Sequence, residues 1–157
     1  MLPQEKIVQI LTNKGLKLAT AESCTGGLIA KRITDIPGSS AMFDMGIISY
    51  ANEIKNRFLG VPNEVLNTVG AVSEETAKAM ARGVCEAANA DIGTSTTGIA
   101  GPGGGTPEKP VGLVYMSIYF KETDRQITKK LNLSGTRDEI RNQTADIVLE
   151  TLLKEIE

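Results

Sequence analysis

The order in which strand-like and helix-like segments follow one another restricts the fold more than any other feature. Apolar residues at helical spacing open the chain, and the short run 16–21 then fits a buried strand. Two further strands are expected at 42–50 and 91–97, each preceded by a segment with helical periodicity. Because strands that alternate with helices usually pair in parallel, these three segments predict the parallel part of one sheet.

Two adjacent strands complete this pattern. Segments 111–120 and 125–133 have strand character and are joined by a charged turn, which predicts a hairpin. A last helix follows, with Thr136 and Glu139 spaced as a capping box. We therefore expect an α/β fold, a three-layer α/β/α sandwich with a mixed, mainly parallel sheet. No repeat, linker or low-complexity tract interrupts residues 1–157, so a single domain is expected.

Composition excludes several classes of function. The net charge is −2, and Lys and Arg are scattered among Asp and Glu, so the chain lacks the basic stripe with which nucleic-acid binders neutralise phosphates. No apolar run approaches the ~20 residues that span a bilayer. The opening residues lack the charged and apolar blocks of a signal peptide. We expect a cytoplasmic protein that binds neither nucleic acid nor membrane.

The chain contains no histidine. This absence excludes a Ser-His-Asp triad, a Cys-His dyad and a His-ligated metal, and it leaves Lys, Tyr, Asp, Glu or Cys for acid–base chemistry. Cys24 and Cys85 are too far apart in sequence for a CxxC pair, so no structural zinc is expected. We expect both to be reduced thiols that pack as small hydrophobic residues.

The first candidate site is a strand that turns into a helix through small polar residues, at 20–27. Free backbone N–H groups and the positive end of a helix suit a phosphate, a carboxylate or a developing oxyanion at such a place. The alternative is an N-cap followed by glycines that pack the strand against the helix, and the local pattern does not decide between them. The candidate residues are Ser23, Thr25, Gly26 and Gly27.

The second candidate site combines a serine, a tyrosine and a lysine. Without histidine, the available base for a serine is a lysine whose pKa is lowered by burial or by a nearby cation. Ser40 in a loop, Tyr50 at a strand end and Lys55 on a short helix supply this set, with Tyr50 as a candidate relay. Asn52 is expected to cap that helix. The alternative, which is commoner for such residues, is a loop serine and a solvated lysine.

A glycine-rich loop after the third expected strand is another candidate. Its residues Thr97, Gly98 and Gly101 allow the backbone to approach a ligand closely or to form an anion-binding nest. The loop matches neither a Walker loop nor a dinucleotide fingerprint, because Gly-Lys-Ser/Thr is absent and a strand comes next. Arg137, at the start of the last helix, is a candidate for phosphate or carboxylate. The alternatives are a mobile connection and a surface arginine.

Five blocks of sequence occur together along the chain. They read TAESCTGG at 20–27, DIPGSSAMFDMGIISYANEIK at 35–55, GAVSE at 70–74, TGIAGPGGGTPEKPVG at 97–112 and GTRDEIR at 135–141. In this order they resemble the CinA C-terminal domain family, also called PncC. The resemblance covers nearly the whole chain, so residues 1–157 are expected to be one domain of this kind.

The resemblance implies hydrolysis of the carboxamide of nicotinamide mononucleotide to nicotinate mononucleotide and ammonia, in pyridine-nucleotide recycling. It implies no metal or cofactor and makes a homodimer plausible. Positions linked to the family's site match the following residues: Ser40, Tyr50 and Lys55 for catalysis, and Ser23, Thr97 and Arg137 for further contacts. Two other functions remain open, a nucleotide- or partner-binding module linked to competence or DNA damage, and a hydrolase of another small amide.

Two serines compete for the role of nucleophile. If 42–50 were one straight strand, Ser40 and Tyr50 would lie roughly 25–30 Å apart, and only a bend near Gly46 or a second subunit would bring them together. Ser23 avoids this difficulty, because the carboxyl ends of parallel strands share one rim of the sheet. The resemblance favours Ser40 as the nucleophile, and Ser23 is its rival.

The expected mechanism follows from these residues. The serine attacks the amide carbon while Lys55, directly or through Tyr50, accepts its proton. Backbone N–H groups near Ser23 or in the glycine loop hold the oxyanion. Arg137 and the glycine loop grip the 5′-phosphate and supply binding energy remote from the reacting atoms.

Overall fold

Strands and helices alternate in the computed structural model, which describes residues 1–157. The strands are β1 (Leu18–Glu22), β2 (Phe43–Ile48), β3 (Ile92–Gly98), β4 (Leu113–Phe120) and β5 (Arg125–Asn132). The helices are α1 (Pro3–Lys14), α2 (Leu28–Thr34), α3 (Asn52–Leu59), α4 (Asn63–Thr68), α5 (Glu74–Ala87) and α6 (Arg137–Ile156), with a 3-10 turn at Ser39–Ala41.

The five strands form one sheet in the order β2-β1-β3-β4-β5. β1 lies between β2 and β3 and pairs with both in parallel, whereas β4 is antiparallel to both of its neighbours. The predicted α/β fold with a mixed sheet is therefore confirmed, with its pairings divided evenly between parallel and antiparallel. Since β1, β2 and β3 run the same way, the residues that follow them meet at one rim.

Side chains of β1 point alternately to the two faces of the sheet. Leu18 joins a core of large aliphatic side chains contributed mainly by α1, α2 and α6, here called the aliphatic face. Ala19 and Ala21 point the other way, into a core that α3, α4 and α5 cover, here called the small-residue face. Its buried members are Leu59, Val61, Leu66, Met80, Ala81, Val84, Cys85, Ala90 and Tyr119, besides the two alanines of β1.

Glycines bring backbones into close contact on the small-residue face. A Cβ added to Gly83 of α5 would lie 1.8 Å from the carbonyl oxygen of Leu59, the last residue of α3. A Cβ added to Gly93 of β3 would lie 2.1 Å from the carbonyl oxygen of Ala81 in α5. Both separations are far below van der Waals contact, so α5 touches α3 on one side and the sheet on the other without intervening side chains.

Of the two helix caps predicted above, one is present and the other is absent. Ser73 accepts a hydrogen bond from the Thr76 N–H and caps α5, and Thr136 forms the expected capping box at the start of α6. The cap predicted at Asn52 is wrong. The N-cap of α3 is Ala51, whose backbone is extended and whose side chain cannot accept a hydrogen bond, and Asn52 is the first helical residue.

Two local features differ from the expected pattern between residues 42 and 68. The irregularity predicted near Gly46 lies earlier in β2, because Leu18 pairs with Phe43 and Ala19 already pairs with Met45. Asp44 is therefore the extra residue. The short helix α4 was not expected, since it spans six residues and buries only Leu66.

Candidate active site

A cavity of about 280 Å³ opens at the carboxyl rim of the parallel strands. Its walls come from the turn after β1, the segment between β2 and α3, the loop before α5, the glycine-rich loop after β3 and the start of α6. The side chains in its lining that bear nitrogen or oxygen are Ser23, Tyr50, Asn52, Lys55, Thr97 and Arg137. Five segments that are separated in sequence thus meet at this rim.

Lys55 is the largest fully buried side chain of the protein, with 1% of its surface exposed. Its Nζ lies 2.6 Å from the Ser49 carbonyl oxygen, 3.4 Å from the Tyr50 carbonyl oxygen and 3.2 Å from Ser23 Oγ. None of the ion pairs in the structure includes it. Lys55 is therefore a buried amine held by neutral groups.

The surroundings of Lys55 favour its neutral form. Burial lowers the pKa of this amine, because the charged form loses its hydration and no carboxylate compensates for the loss. A neutral amine has two N–H protons, which match the two carbonyl oxygens of Ser49 and Tyr50. Its lone pair is then left for the hydroxyl proton of Ser23. This is the arrangement that a lysine needs to act as a general base toward a serine.

Ser23 is held in place by hydrogen bonds to the neighbouring strands. It follows directly after β1, and its N–H donates to the Thr96 carbonyl at 3.0 Å. The Ser49 N–H donates to the Glu22 carbonyl at 2.8 Å, while the Ser49 carbonyl accepts from Lys55. The backbone of Ser49 therefore links the serine-bearing turn to the lysine and helps to fix their relative position.

Glu22 is a buried carboxylate directly before Ser23, with 1% of its surface exposed. It accepts hydrogen bonds from the N–H groups of Ile29 and Ala30 in the first turn of α2 and from Thr25 Oγ1 at 2.6 Å. Thr96 Oγ1 in turn lies 2.8 Å from Thr25 Oγ1. Since the Thr25 proton goes to Glu22, Thr96 donates to Thr25. This chain joins the β1–α2 turn to β3.

Cys24 lies beside the serine and lines the cavity, with 5% of its surface exposed. Burial raises the pKa of its thiol to about 11, so the thiol stays protonated at neutral pH. A protonated thiol is a poor nucleophile. The structure thus agrees with the prediction that Cys24 is a packed small side chain.

Tyr50 and Arg137 meet at the mouth of the cavity. Arg137 donates one hydrogen bond to the Tyr50 hydroxyl at 2.9 Å and another to the Gly101 carbonyl at 2.7 Å. The Tyr50 side chain is 62% exposed, and its hydroxyl contacts neither Lys55 nor Ser23. The structure therefore places the phenol at the entrance, where it cannot relay a proton between the serine and the lysine; only the Tyr50 carbonyl touches the lysine.

The glycine-rich loop lines the cavity with residues whose N–H groups are unpaired within the protein. Those of Ala100, Gly101, Gly103 and Gly104 donate to no acceptor in the chain. At the base of the loop, Thr97 Oγ1 donates to the carbonyl of Ala71 on the opposite wall at 2.8 Å. A set of free donors next to Arg137 is a suitable place for an anionic group of a ligand.

Four of the residues predicted for this site lie elsewhere. Ser40 is exposed in the 3-10 turn before β2, and the six residues of β2 separate it from the cavity by roughly 16 Å. Thr25 is completely buried behind the turn, bonded to Glu22 and Thr96. Gly26 and Gly27 have positive φ values and face Arg141 and Ile48 rather than the cavity. The structure brings the other seven together: Ser23, Tyr50, Lys55, Thr97, Gly98, Gly101 and Arg137.

Two residues of this region were not among the predicted site residues. The sequence does contain a signal for Glu22, because an acidic residue at the end of an apolar strand is unusual and indicates a buried polar role. Asn52 was assigned to the helix cap. Its spacing of three residues from Lys55 places both on one face of a helix, which is the signal that points to a shared site.

The fold and the cavity define a class: a small α/β/α sandwich protein in which a serine contacts a buried lysine at the carboxyl rim of the parallel strands. The model of the CinA C-terminal domain matches residues 3–156. The chain belongs to the CinA C-terminal domain family. No helix in the structure combines the length and apolarity that a membrane crossing requires. No cluster of three or more His, Cys, Asp or Glu side chains is placed to hold a metal ion.

Named relatives and solved structures agree with this membership. A putative competence-damage inducible protein of Caldanaerobacter subterraneus subsp. tengcongensis is 54% identical over 141 residues, 90% of this chain and 34% of that protein. A CinA-like protein of Kosmotoga olearia is 52% identical over 147 residues, 94% of this chain and 35% of that protein. The chain thus spans about a third of the length of these curated relatives.

Two solved structures are similar over almost their full length. The crystal structure of the competence/damage inducible protein CihA from Agrobacterium tumefaciens has a TM-score of 0.94 and 43% sequence identity, and the match covers 97% of this chain and 92% of that chain. A CinA superfamily protein from Klebsiella pneumoniae has a TM-score of 0.93 and 29% identity, covering 98% and 95%.

Proposed function

We propose that the chain hydrolyses the carboxamide of nicotinamide mononucleotide, with Ser23 as the nucleophile and Lys55 as its base. The observation that carries this proposal is the contact of 3.2 Å between Nζ of the buried Lys55, which forms no ion pair, and Ser23 Oγ. The resemblance to the family supplies the substrate, and the geometry supports Ser23 over Ser40 within one chain.

The reaction runs in two halves. Ser23 Oγ bonds to the amide carbon while its proton moves to Lys55 Nζ, and the carbonyl oxygen becomes an oxyanion. The C–N bond then breaks as Lys55 returns the proton to the leaving nitrogen, which departs as ammonia. A water molecule attacks the resulting ester, again with Lys55 as base, and Ser23 leaves with the proton. The products are nicotinate mononucleotide and the free enzyme.

Backbone donors support the oxyanion in this proposal. The Cys24 N–H follows the nucleophile directly and donates to no acceptor in the chain. An N–H group in that position is held rigidly by the turn, and removing one such donor typically costs a factor of about 100–1,000 in rate. At the other end of the cavity, Arg137 and the free N–H groups of the glycine loop suit the 5′-phosphate.

Ammonia release from nicotinamide mononucleotide tests the proposal. We expect Ser23→Ala and Lys55→Met to lower kcat at least about 1,000-fold, because each removes a member of a pair that acts as a unit. Ser40→Ala is the matched control, a serine-to-alanine change outside the cavity, and it should keep kcat within about twofold. Nicotinamide and its riboside, which lack the phosphate, should react poorly.

Each contrary result has a distinct meaning. Loss of activity in Ser40→Ala with full activity in Ser23→Ala would reject Ser23 and indicate that a second copy of the chain supplies the serine. A folded wild type that binds the nucleotide without releasing ammonia would favour the nucleotide-binding module. The homodimer remains a prediction, which the molar mass in solution would decide.

A further inference from the structure

Asn52 is the only nitrogen- or oxygen-bearing side chain of the cavity lining without a hydrogen-bond partner in the protein. The other five such side chains all hold at least one of the bonds described above: Ser23, Tyr50, Lys55, Thr97 and Arg137. The Asn52 amide therefore has both its donor and its acceptor atoms free.

The position of Asn52 connects it to the reacting atoms rather than to the helix. It is the first residue of α3 and lies three residues before Lys55, so both side chains project from one face of that helix. The cap of α3 is Ala51, and Asn52 contributes nothing to it. An exposed asparagine that does not cap its helix and lines a cavity is available to a ligand.

Hydrogen-bond donors dominate the rest of the cavity. The loop N–H groups, Arg137 and Lys55 all donate. The carbonyl oxygens of Ser49 and Tyr50 already accept from Lys55, and that of Gly101 accepts from Arg137. A primary carboxamide brings two N–H donors of its own, which need acceptors when they are removed from water. Asn52 Oδ1 lines the same cavity as the serine–lysine pair and accepts no hydrogen bond from the protein, so both of its lone pairs are free.

We infer that Asn52 Oδ1 accepts a hydrogen bond from the NH2 group of the substrate's carboxamide, and so favours the amide over the acid product. This inference rests on the proposed function. The product carboxylate has no N–H to offer and presents only acceptor oxygens. Asn52 is thus a specificity-determining residue for the amide, distinct from the pair that carries out the reaction.

Comparison of three side chains at position 52 shows whether this position acts as a hydrogen-bond donor or as an acceptor. Asparagine offers donor and acceptor, Asn52→Asp keeps only the acceptor, and Asn52→Leu removes both at similar size. Dissociation constants for nicotinamide mononucleotide and nicotinate mononucleotide are measured by calorimetry in the Ser23→Ala background, where no turnover occurs. The values of kcat/KM are measured with Ser23 present, at alkaline pH, because an aspartate near Lys55 raises its pKa.

The expected result is an ordered series. Asn52→Asp should bind the amide within about threefold of the parent, and Asn52→Leu about tenfold more weakly, as for one lost hydrogen bond. The preference for amide over acid should fall about tenfold in Asn52→Leu. Asn67→Leu, the same change on the exposed surface of α4, is the control and should alter neither value.

Several outcomes would overturn the inference. If Asn52→Asp loses as much amide affinity as Asn52→Leu, position 52 acts as a donor. If Asn52→Leu leaves the amide-to-acid preference unchanged while the wild type releases ammonia, the inference fails and the proposed function stands. If the wild type releases no ammonia, the proposed function fails, and the binding series still decides whether Asn52 reads the amide. If neither mononucleotide binds, the proposed function and the inference about Asn52 are both rejected.

Discussion

On the aliphatic face of the sheet, large side chains from α1, α2 and α6 fill the space between helices and strands. On the small-residue face, Gly83 and Gly93 let α5 approach α3 and β3 with backbone against backbone. Large side chains adapt to small shifts by changing rotamer, whereas a backbone contact fixes the distance between two elements. The candidate site uses the second kind of packing, because Lys55 projects from α3 on the small-residue face.

The two faces of the sheet differ in how precisely their residues must be positioned. The aliphatic face buries 15 hydrophobic residues against 11 on the small-residue face, and most of its side chains are larger, so it contributes more of the hydrophobic stabilisation. The small-residue face buries an unpaired amine and holds it 3.2 Å from a serine. Three predictions test whether the two faces separate stability from catalysis in this way.

The largest effect on stability is expected on the aliphatic face. Leu149 of α6 is 1% exposed, and Leu149→Ala should lower the free energy of unfolding by about 2–5 kcal/mol, because it leaves a cavity in a close-packed core. Denaturant titration measures this loss. In the fraction that stays folded, kcat should remain within about twofold, and a large fall in kcat would show that the two faces are coupled.

A smaller loss of stability, with a fall in kcat, is expected on the small-residue face. In Gly83→Ala the new methyl group meets the Leu59 carbonyl, so α3 must shift, at a cost of roughly 1–3 kcal/mol. Since Lys55 lies one turn before Leu59, kcat should drop about tenfold. Glycine-to-alanine in an unconstrained helix would instead stabilise by roughly 0.5–1 kcal/mol. A stabilised, fully active variant would therefore contradict the close packing.

The smallest expected change in stability is a dependence on pH, which kcat/KM should also show. The native pKa of Lys55 is lowered by burial, so at alkaline pH the unfolded chain binds more protons than the native one. Unfolding free energy should therefore rise with pH through the window between the lowered pKa and the ordinary value of about 10.4. Below the lowered native pKa, kcat/KM should rise by up to about tenfold per pH unit as Lys55 becomes neutral, and it should level off within the window in which stability rises.

Variants at the two faces separate the contribution of Lys55 to the pH dependence of stability from that of other titrating groups. Lys55→Met should remove the part of the stability slope that belongs to Lys55, while Leu149→Ala should keep the wild-type slope. Identical slopes in wild type and Lys55→Met would mean that Lys55 titrates as an exposed lysine, and the lysine base would then be rejected.

Much of the fold followed from local pattern. The alternation of helices and strands, the hairpin of β4 and β5, and the caps at Ser73 and Thr136 are set by residues close in sequence. The wrong cap at Asn52 has a local cause of a different kind. An asparagine before an acidic residue fits a cap by type, but the backbone enters α3 one residue earlier, at Ala51.

The site was harder to predict because its geometry depends on which rim a residue reaches. Ser23 and Lys55 meet because β1 and β2 are parallel, a rule that the sequence pattern contains. Ser40 precedes β2 while Lys55 follows it, so the same rule places them at opposite rims. The resemblance alone favoured Ser40. The hydroxyl chain from Glu22 through Thr25 to Thr96 could not be predicted, since Thr25 and Thr96 are 71 residues apart in sequence.

The lowered pKa of Lys55 has a consequence for labelling chemistry. Acylating and carbonyl reagents react with free amines and not with ammonium ions, and nearly all surface lysines are protonated at neutral pH. A small uncharged reagent that fits the cavity should therefore modify Lys55 before the exposed lysines, in spite of its burial. The feature that makes Lys55 a base also makes it the natural attachment point for a covalent probe of this protein.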